Sequence, residues 1–164
     1  KMTTNAKRAI FAGGCFWGVE YLLQQEAGVL KTTVGYIGGK TEKPTYEQVC
    51  RKKTGHAEAV EVVFDPTKTS FKALATVFFN IHDPTQVDRQ GPDIGDQYRS
   101  VVFYVGDEQK KVAEELIAKL KEKGYKVATK LTPATTFWPG EEYHRDYYKK
   151  KGSKPYCHAF KKRL

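Results

Sequence analysis

The run Ala9-Ile10-Phe11-Ala12 is apolar at every position, stops at Gly13-Gly14, and passes after Cys15 into helical spacing at Phe16, Val19, Leu22 and Leu23. A strand over about residues 7–12 must therefore turn sharply through the glycines into a helix over 15–26. The same alternation continues along the chain, with strands expected at 30–37, 57–64, 99–105 and 126–131. A helix at 70–82 carries Phe71, Leu74, Phe78 and Ile81 on one face, and a helix at 107–123 carries Val112, Leu116 and Leu120. Asp107 is the expected N-cap of the latter, and Gly124 lies just past its end. This order predicts an α+β fold, a mixed sheet with helices packed on one or both faces. Split βαβ units of the ferredoxin-like kind are its simplest arrangement.

Residues 1–164 read as one catalytic-sized domain, because neither a repeat nor a linker interrupts them. Two stretches stand apart from the periodic pattern. Residues 83–97 form a long polar loop rich in Gly and Pro, a length that commonly serves function. Residues 149–164 form a basic tail without apolar periodicity, expected to be mobile, and it carries Cys157.

Composition removes several function classes. A hydrophobic content of 40% excludes wholesale disorder, no apolar run is long enough to span a membrane, and the N-terminus lacks the apolar core of a signal peptide. The chain is expected to be soluble. Lys1 ahead of Met2 is what a segment cut from a longer polypeptide would show, so the cytoplasm is a default compartment only. The net charge of +9 is spread over several lysine-rich segments without a nucleic-acid-binding motif, so no nucleic acid is expected as partner. Three cysteines at positions 15, 50 and 157 are too few and too far apart for a disulfide scaffold or a zinc ribbon. His144, Cys157 and His158 lack the spacing and number of a closed metal site, so neither metal nor organic cofactor is expected.

Cys15 at the helix start admits two readings. It is either a structural thiol beside core aromatics or a nucleophile whose thiolate is favoured by the helix dipole and the unpaired N–H groups. A thiol of ordinary pKa is only about 3% ionised at pH 7, and the dipole lowers that pKa by roughly one unit, so neighbours or substrate must complete any activation. Phe16 and Trp17 would form an apolar wall beside the sulfur.

In the strand over 57–64, period two sets Glu58 on the face of Val60, Val62 and Phe64. Burial there would raise its pKa and make it a general acid near neutral pH, whereas a frayed strand end would leave it in water. Tyr46, Asp93 and Tyr98 fall in loops or at loop exits, where a tyrosine hydroxyl can hydrogen-bond a polar oxygen without adding charge. A Cys15/His56/Asp93 acyl-transfer triad, that of a cysteine hydrolase, is the rival enzyme reading.

The segments Gly14-Cys15-Phe16-Trp17-Gly18, Gly35-Tyr36-Ile37-Gly38-Gly39, Pro44-Thr45-Tyr46-Glu47-Gln48-Val49-Cys50, Gly55-His56-Ala57-Glu58 and Gln97-Tyr98-Arg99-Ser100 stand in this order. Together they resemble the A-type peptide-methionine (S)-sulfoxide reductases over about residues 7–158. The resemblance implies that Cys15 attacks the sulfoxide sulfur and Glu58 protonates the departing oxygen. It further implies that Tyr46 and Tyr98 hydrogen-bond that oxygen, that Phe16 and Trp17 hold the methyl group, and that Asp93 orients water and polar groups. It implies as well that methionine leaves, that Cys15 becomes a sulfenic acid, and that Cys157 converts it to a disulfide that thioredoxin reduces. Methionine sulfoxide, free or in oxidised proteins, and thioredoxin or another dithiol are thus the implied partners. Trp138-Pro139-Gly140-Glu141, Pro92 and Asp96 depart from the usual pattern. Some relatives are fused to a B-type reductase.

Overall fold

The computed structural model describes residues 5–51, 54–141, 144 and 158–164. Strand β1 (Lys7–Gly13) leads through Gly14 and Cys15 into helix α1 (Phe16–Gln24), and strand β2 (Val29–Ile37) returns along it. A short helix α2 (Tyr46–Cys50) precedes β3 (Ala57–Phe64), followed by α3 (Phe71–Ile81), whose N-cap Ser70 accepts the Ala73 N–H. A small hairpin of β4 (Arg89–Gln90) and β5 (Asp93–Ile94) and a 3-10 turn (Asp96–Tyr98) lead to β6 (Ser100–Tyr104). Helix α4 (Asp107–Glu122), β7 (Lys130–Pro133) and β8 (Trp138–Pro139) follow.

Six strands form one sheet in the order β7-β6-β1-β3-β2-β8. The four inner strands β6, β1, β3 and β2 each run antiparallel to their neighbours and are joined as β1-α1-β2-β3-α3-β6, the expected ferredoxin-like core. Strand β7 extends it in parallel to β6 by way of α4. Because β1 carries Ala9 and Phe11 into the helix-covered core and Ile10 and Ala12 into a second cluster with Ile37, Ala59 and Phe103, it is apolar throughout rather than alternating.

The differences from the sequence expectations have local causes. Gly106, with φ of 85°, is the N-cap of α4, and Asp107 is its first helical residue, where a carboxylate still favours the dipole. The strand expected at 126–131 forms at Lys130–Pro133, and just before it the Ala128 N–H goes to the Pro84 carbonyl rather than into the sheet. The loop expected at 83–97 contains the β4–β5 hairpin, while α2 and β8 are too short to show a period. Of the tail, residues 158–164 are described, and Arg163 and Leu164 donate their N–H groups to Asn80 Oδ1 at 2.7 and 3.0 Å, so this part is held on α3. Residues 149–157 lie outside the described residues.

Antiparallel pairing decides where chemistry gathers. β1 and β2 finish, and β3 and β6 begin, at one end of the sheet, where Cys15, α2, Glu58 and Tyr98 are all brought.

Candidate active site

Gly14 turns the chain at φ of 95°, a left-handed conformation that makes a side chain costly there. Cys15 is then the N-cap residue of α1 and is 6% exposed. It makes no side-chain capping hydrogen bond. The first-turn N–H of Phe16 is met instead by Glu58 Oε1 at 3.2 Å, so the carboxyl group caps the helix that begins at the thiol.

Glu58 is 1% exposed, in register with Tyr36 on the neighbouring strand. Pairing with β2 continues past Glu58 to Ala57, and the start of α1 covers its carboxyl group, so Glu58 is buried and not at a frayed end. Burial pushes its pKa up to about 8 against the opposing Phe16 N–H, and the charge of nearby Asp93 adds to the rise. Its second oxygen, Oε2, is buried without a hydrogen-bond partner among the described residues. Burial, and then the Glu58 carboxyl, also hold the Tyr46 and Tyr98 hydroxyls above the ordinary tyrosine range. The structure therefore gathers Cys15, Glu58, Tyr46, Asp93 and Tyr98 at one place, while Cys157 lies outside the described residues.

An aromatic wall closes one side. The Phe16 ring lies 5.6 Å from Tyr36, 6.1 Å from Tyr46 and 6.1 Å from Trp17. Two residues that sequence reading did not assign to the site hold this wall. His144, fully buried, accepts the Trp17 Nε1–H at Nδ1 over 3.0 Å and packs 4.4 Å from the Tyr46 ring. Glu141 accepts the Tyr46 backbone N–H at 3.0 Å and the Tyr36 hydroxyl at 3.1 Å. Burial works against the Glu141 charge, but these donors outweigh it and hold its carboxyl below the usual range. A readable signal existed for α2, since Thr45 and Gln48 form a capping box. Nothing local announces that residue 141 returns to residue 46.

Two further side chains border the site. Cys50 is half-buried on α2 and hydrogen-bonded with the Tyr46 hydroxyl. His56 spends both ring nitrogens on backbone, with Nδ1 accepting the Gly39 N–H at 3.0 Å and Nε2 donating to the Thr41 carbonyl at 2.6 Å. It braces the Gly39 loop and has no nitrogen left to act as base for Cys15, which removes the hydrolase triad.

The site's titrations leave a mark on stability. Glu58 loses its proton near 4.5 when unfolded but near 8 when folded, so its contribution is complete below 4.5 and is lost as pH rises through 8. Beneath Gly13 lies His82, its Nδ1 and Nε2 2.6 and 2.7 Å from the Phe78 carbonyl and Ser100 Oγ. Burial lowers its pKa to about 3, so its contribution is present above 6.5 and is lost as pH falls. Between 6.5 and 4.5 the two effects oppose each other, each by about 1.4 kcal/mol per pH unit. Glu58→Gln removes one and leaves the other. Between pH 6.5 and 5 the variant's unfolding free energy should therefore fall by about 2 kcal/mol more than the parent's. Parallel denaturant curves for the two proteins would show that Glu58 has no raised pKa.

A thiol at a helix N-terminus, a neutral acid beside it with one oxygen unused, two hydroxyl donors and an aromatic wall can together attack a soft, electrophilic atom and protonate the oxygen that leaves it. Comparison with known proteins leads to the same chemistry. The family model described as peptide methionine sulfoxide reductase matches residues 7–163. The peptide methionine sulfoxide reductase MsrA of Acinetobacter baumannii (strain AYE) is 51% identical over 151 residues, covering 92% of this chain and 87% of its own. Reduced Mxr1 from Saccharomyces cerevisiae superposes with a TM-score of 0.89 at 34% identity, covering 98% of this chain and 95% of its own. Mxr1 in complex with Trx2 shares the fold at a TM-score of 0.65 and 24% identity, with 98% and 94% of the two chains covered. With the match running through the strand-turn-helix of Cys15 and the strand of Glu58, the chain belongs to the peptide methionine sulfoxide reductase family.

Proposed function

We propose that this family member reduces methionine-S-sulfoxide, free or exposed in oxidised proteins, with Cys15 as nucleophile and Glu58 as proton donor. The observation that carries the reading is the unshared Oε2 of a buried, neutral Glu58 whose other oxygen is fixed at the helix start beside Cys15. The Cys15 sulfur attacks the sulfoxide sulfur, and Glu58 delivers a proton to the oxygen while Tyr46 and Tyr98 hydrogen-bond it. Phe16 and Trp17 receive the methyl group, and Asp93 orients the polar side of the site. The S–O oxygen passes to Cys15, methionine leaves, and a Cys15 sulfenic acid remains. Electrons come from thiols alone, so the reaction calls for neither metal nor organic cofactor.

Recycling follows from the same chemistry. Cys157 attacks the sulfenic sulfur, the S–O bond breaks, water leaves, and a Cys15–Cys157 disulfide forms. A dithiol of the thioredoxin class then reduces it, a partner supported by the existence of a Mxr1–Trx2 complex in the same fold. We place residues 1–164 in one catalytic unit, with Cys157 supplied by its basic tail.

The pocket must fix methyl, oxygen and carbon at once, so it is chiral. Given racemic methionine sulfoxide and dithiothreitol, the protein should consume the S epimer only, followed by chiral chromatography; equal loss of both epimers would overturn the proposed pocket. Cys157→Ser should still release about one methionine per enzyme, while thioredoxin-driven turnover collapses. Peptide mapping that finds Cys15 bridged to Cys50 would reassign the recycling thiol.

A further inference from the structure

The chain beyond residue 157 is held on the body of the molecule at two places. At its start His158 is 4% exposed, and its Nε2–H donates to the Gly13 carbonyl at 2.7 Å. The imidazole occupies a niche that exists only because its walls are glycine. A Cβ on Gly14 would come within 3.0 Å of His158 Nε2, and one on Gly18 within 2.2 Å of Nδ1. These residues lie on both sides of Cys15 in the chain. At the segment's end, the Lys161 N–H donates to the Asn80 carbonyl at 2.7 Å, the Arg163 N–H to Asn80 Oδ1 at 2.7 Å, and the Arg163 guanidinium to the Phe79 carbonyl at 3.2 Å.

The two anchors differ in strength. Several hydrogen bonds tie residues 161–164 to the end of α3, whereas one side-chain hydrogen bond ties His158 to Gly13. A single such bond contributes little on the net, which lets a segment dock and release. His158 Nδ1 is buried without a hydrogen-bond partner among the described residues, so polarity there is kept at a cost. An apolar side chain would fill the niche, but it would lack the directional bond to the carbonyl that precedes the nucleophile's turn.

We infer that His158 is a positioning residue that docks the C-terminal segment on the Cys15 turn and thereby sets the rate at which Cys157 meets oxidised Cys15. The inference rests on the proposed recycling role of Cys157. His158 follows Cys157 directly in the chain, so anchoring the imidazole shortens the tether on which the Cys157 sulfur reaches Cys15. Docking turns the encounter of the Cys157 thiol with the Cys15 sulfenic acid from one on a long tether into a local one, which raises their effective concentration. The step itself is balanced: the thiol proton of Cys157 and the hydroxyl of the sulfenic acid leave as water, and the S–O bond is replaced by S–S. No outside oxidant is needed.

The test uses the full chain, one equivalent of methionine sulfoxide, and rapid quenching. Methionine release and the Cys15–Cys157 bridge are followed separately, with dimedone to trap surviving sulfenic acid. In His158→Ala, methionine should appear at the parent rate while the bridge forms at least about tenfold more slowly and the Cys15–dimedone adduct accumulates. His158→Gln, which can still present an N–H at the position of Nε2, should restore bridging to within a few fold. Removal of residues 161–164, which loosens only the distal anchor, should slow bridging in the same direction. Parent-like bridging in both His158→Ala and the truncated chain would overturn the inference, as would a loss of methionine release as large as the loss of bridging. A parent protein that forms methionine but no bridge to Cys157 would instead remove the recycling reading beneath it, a different and recognisable result.

Discussion

Cys15→Ser should abolish methionine release from methionine sulfoxide, by more than about a thousandfold with dithiothreitol as reductant. The reason is chemical, and the structure separates it from any effect on folding. Cys15 is the N-cap of α1 and makes no side-chain capping bond, while serine is among the preferred N-cap residues. The variant should therefore unfold at the parent temperature or slightly above it. What it loses is the soft, ionisable sulfur. A dipole worth up to about 2 kcal/mol can assist the ionisation of a thiol, but it cannot bring an alcohol to ionisation. Nor can an alkoxide reach the sulfenic acid stage, because the oxidised product of the first step is a sulfur species. Turnover within tenfold of the parent, in a variant that melts normally, would remove Cys15 from the reaction.

How much of this was legible in the sequence depends on the range of the interactions involved. The strand-turn-helix around Cys15 is written in consecutive residues, since an apolar run, two glycines and a helical period permit few other paths. The ferredoxin-like core follows from the order of periodic segments, each long enough to show its period. Glu58 marks the limit of such reading. Period two assigns it a face but says nothing of what covers that face, and its burial depends on the pairing of β3 with β2 and on the N-terminus of α1 against its carboxyl group. Tyr46 was found, but its helix was not, because five residues make little more than one turn. The support from His144 and Glu141 spans 127 and 95 residues of chain, and no local pattern encodes it. His158 was lost for a related reason, since a lysine-rich tail looks solvated until the glycine niche that receives it is seen.

Glu58→Gln should slow the first half-reaction by roughly a hundredfold or more, the scale of a lost general acid. The substitution preserves size, and the amide oxygen can still accept the Phe16 N–H, so the helix start should keep its cap. What disappears is the proton that Oε2 would hand to the departing oxygen. A carboxyl group with a pKa near 8 is neutral at physiological pH, and burial, the first cause of its shift, keeps that proton available. The pH profile gives the sharper test. In the parent, single-turnover methionine release should decline as pH rises through about 8, where Glu58 gives up its proton, even as the Cys15 thiolate becomes more abundant. In Glu58→Gln that alkaline decline should vanish, leaving only a rise that follows thiol ionisation. Rates within a few fold of the parent, or an alkaline limb unchanged in the variant, would assign the proton to another donor, and the Tyr46 and Tyr98 hydroxyls, already beside the site, would be the next to test.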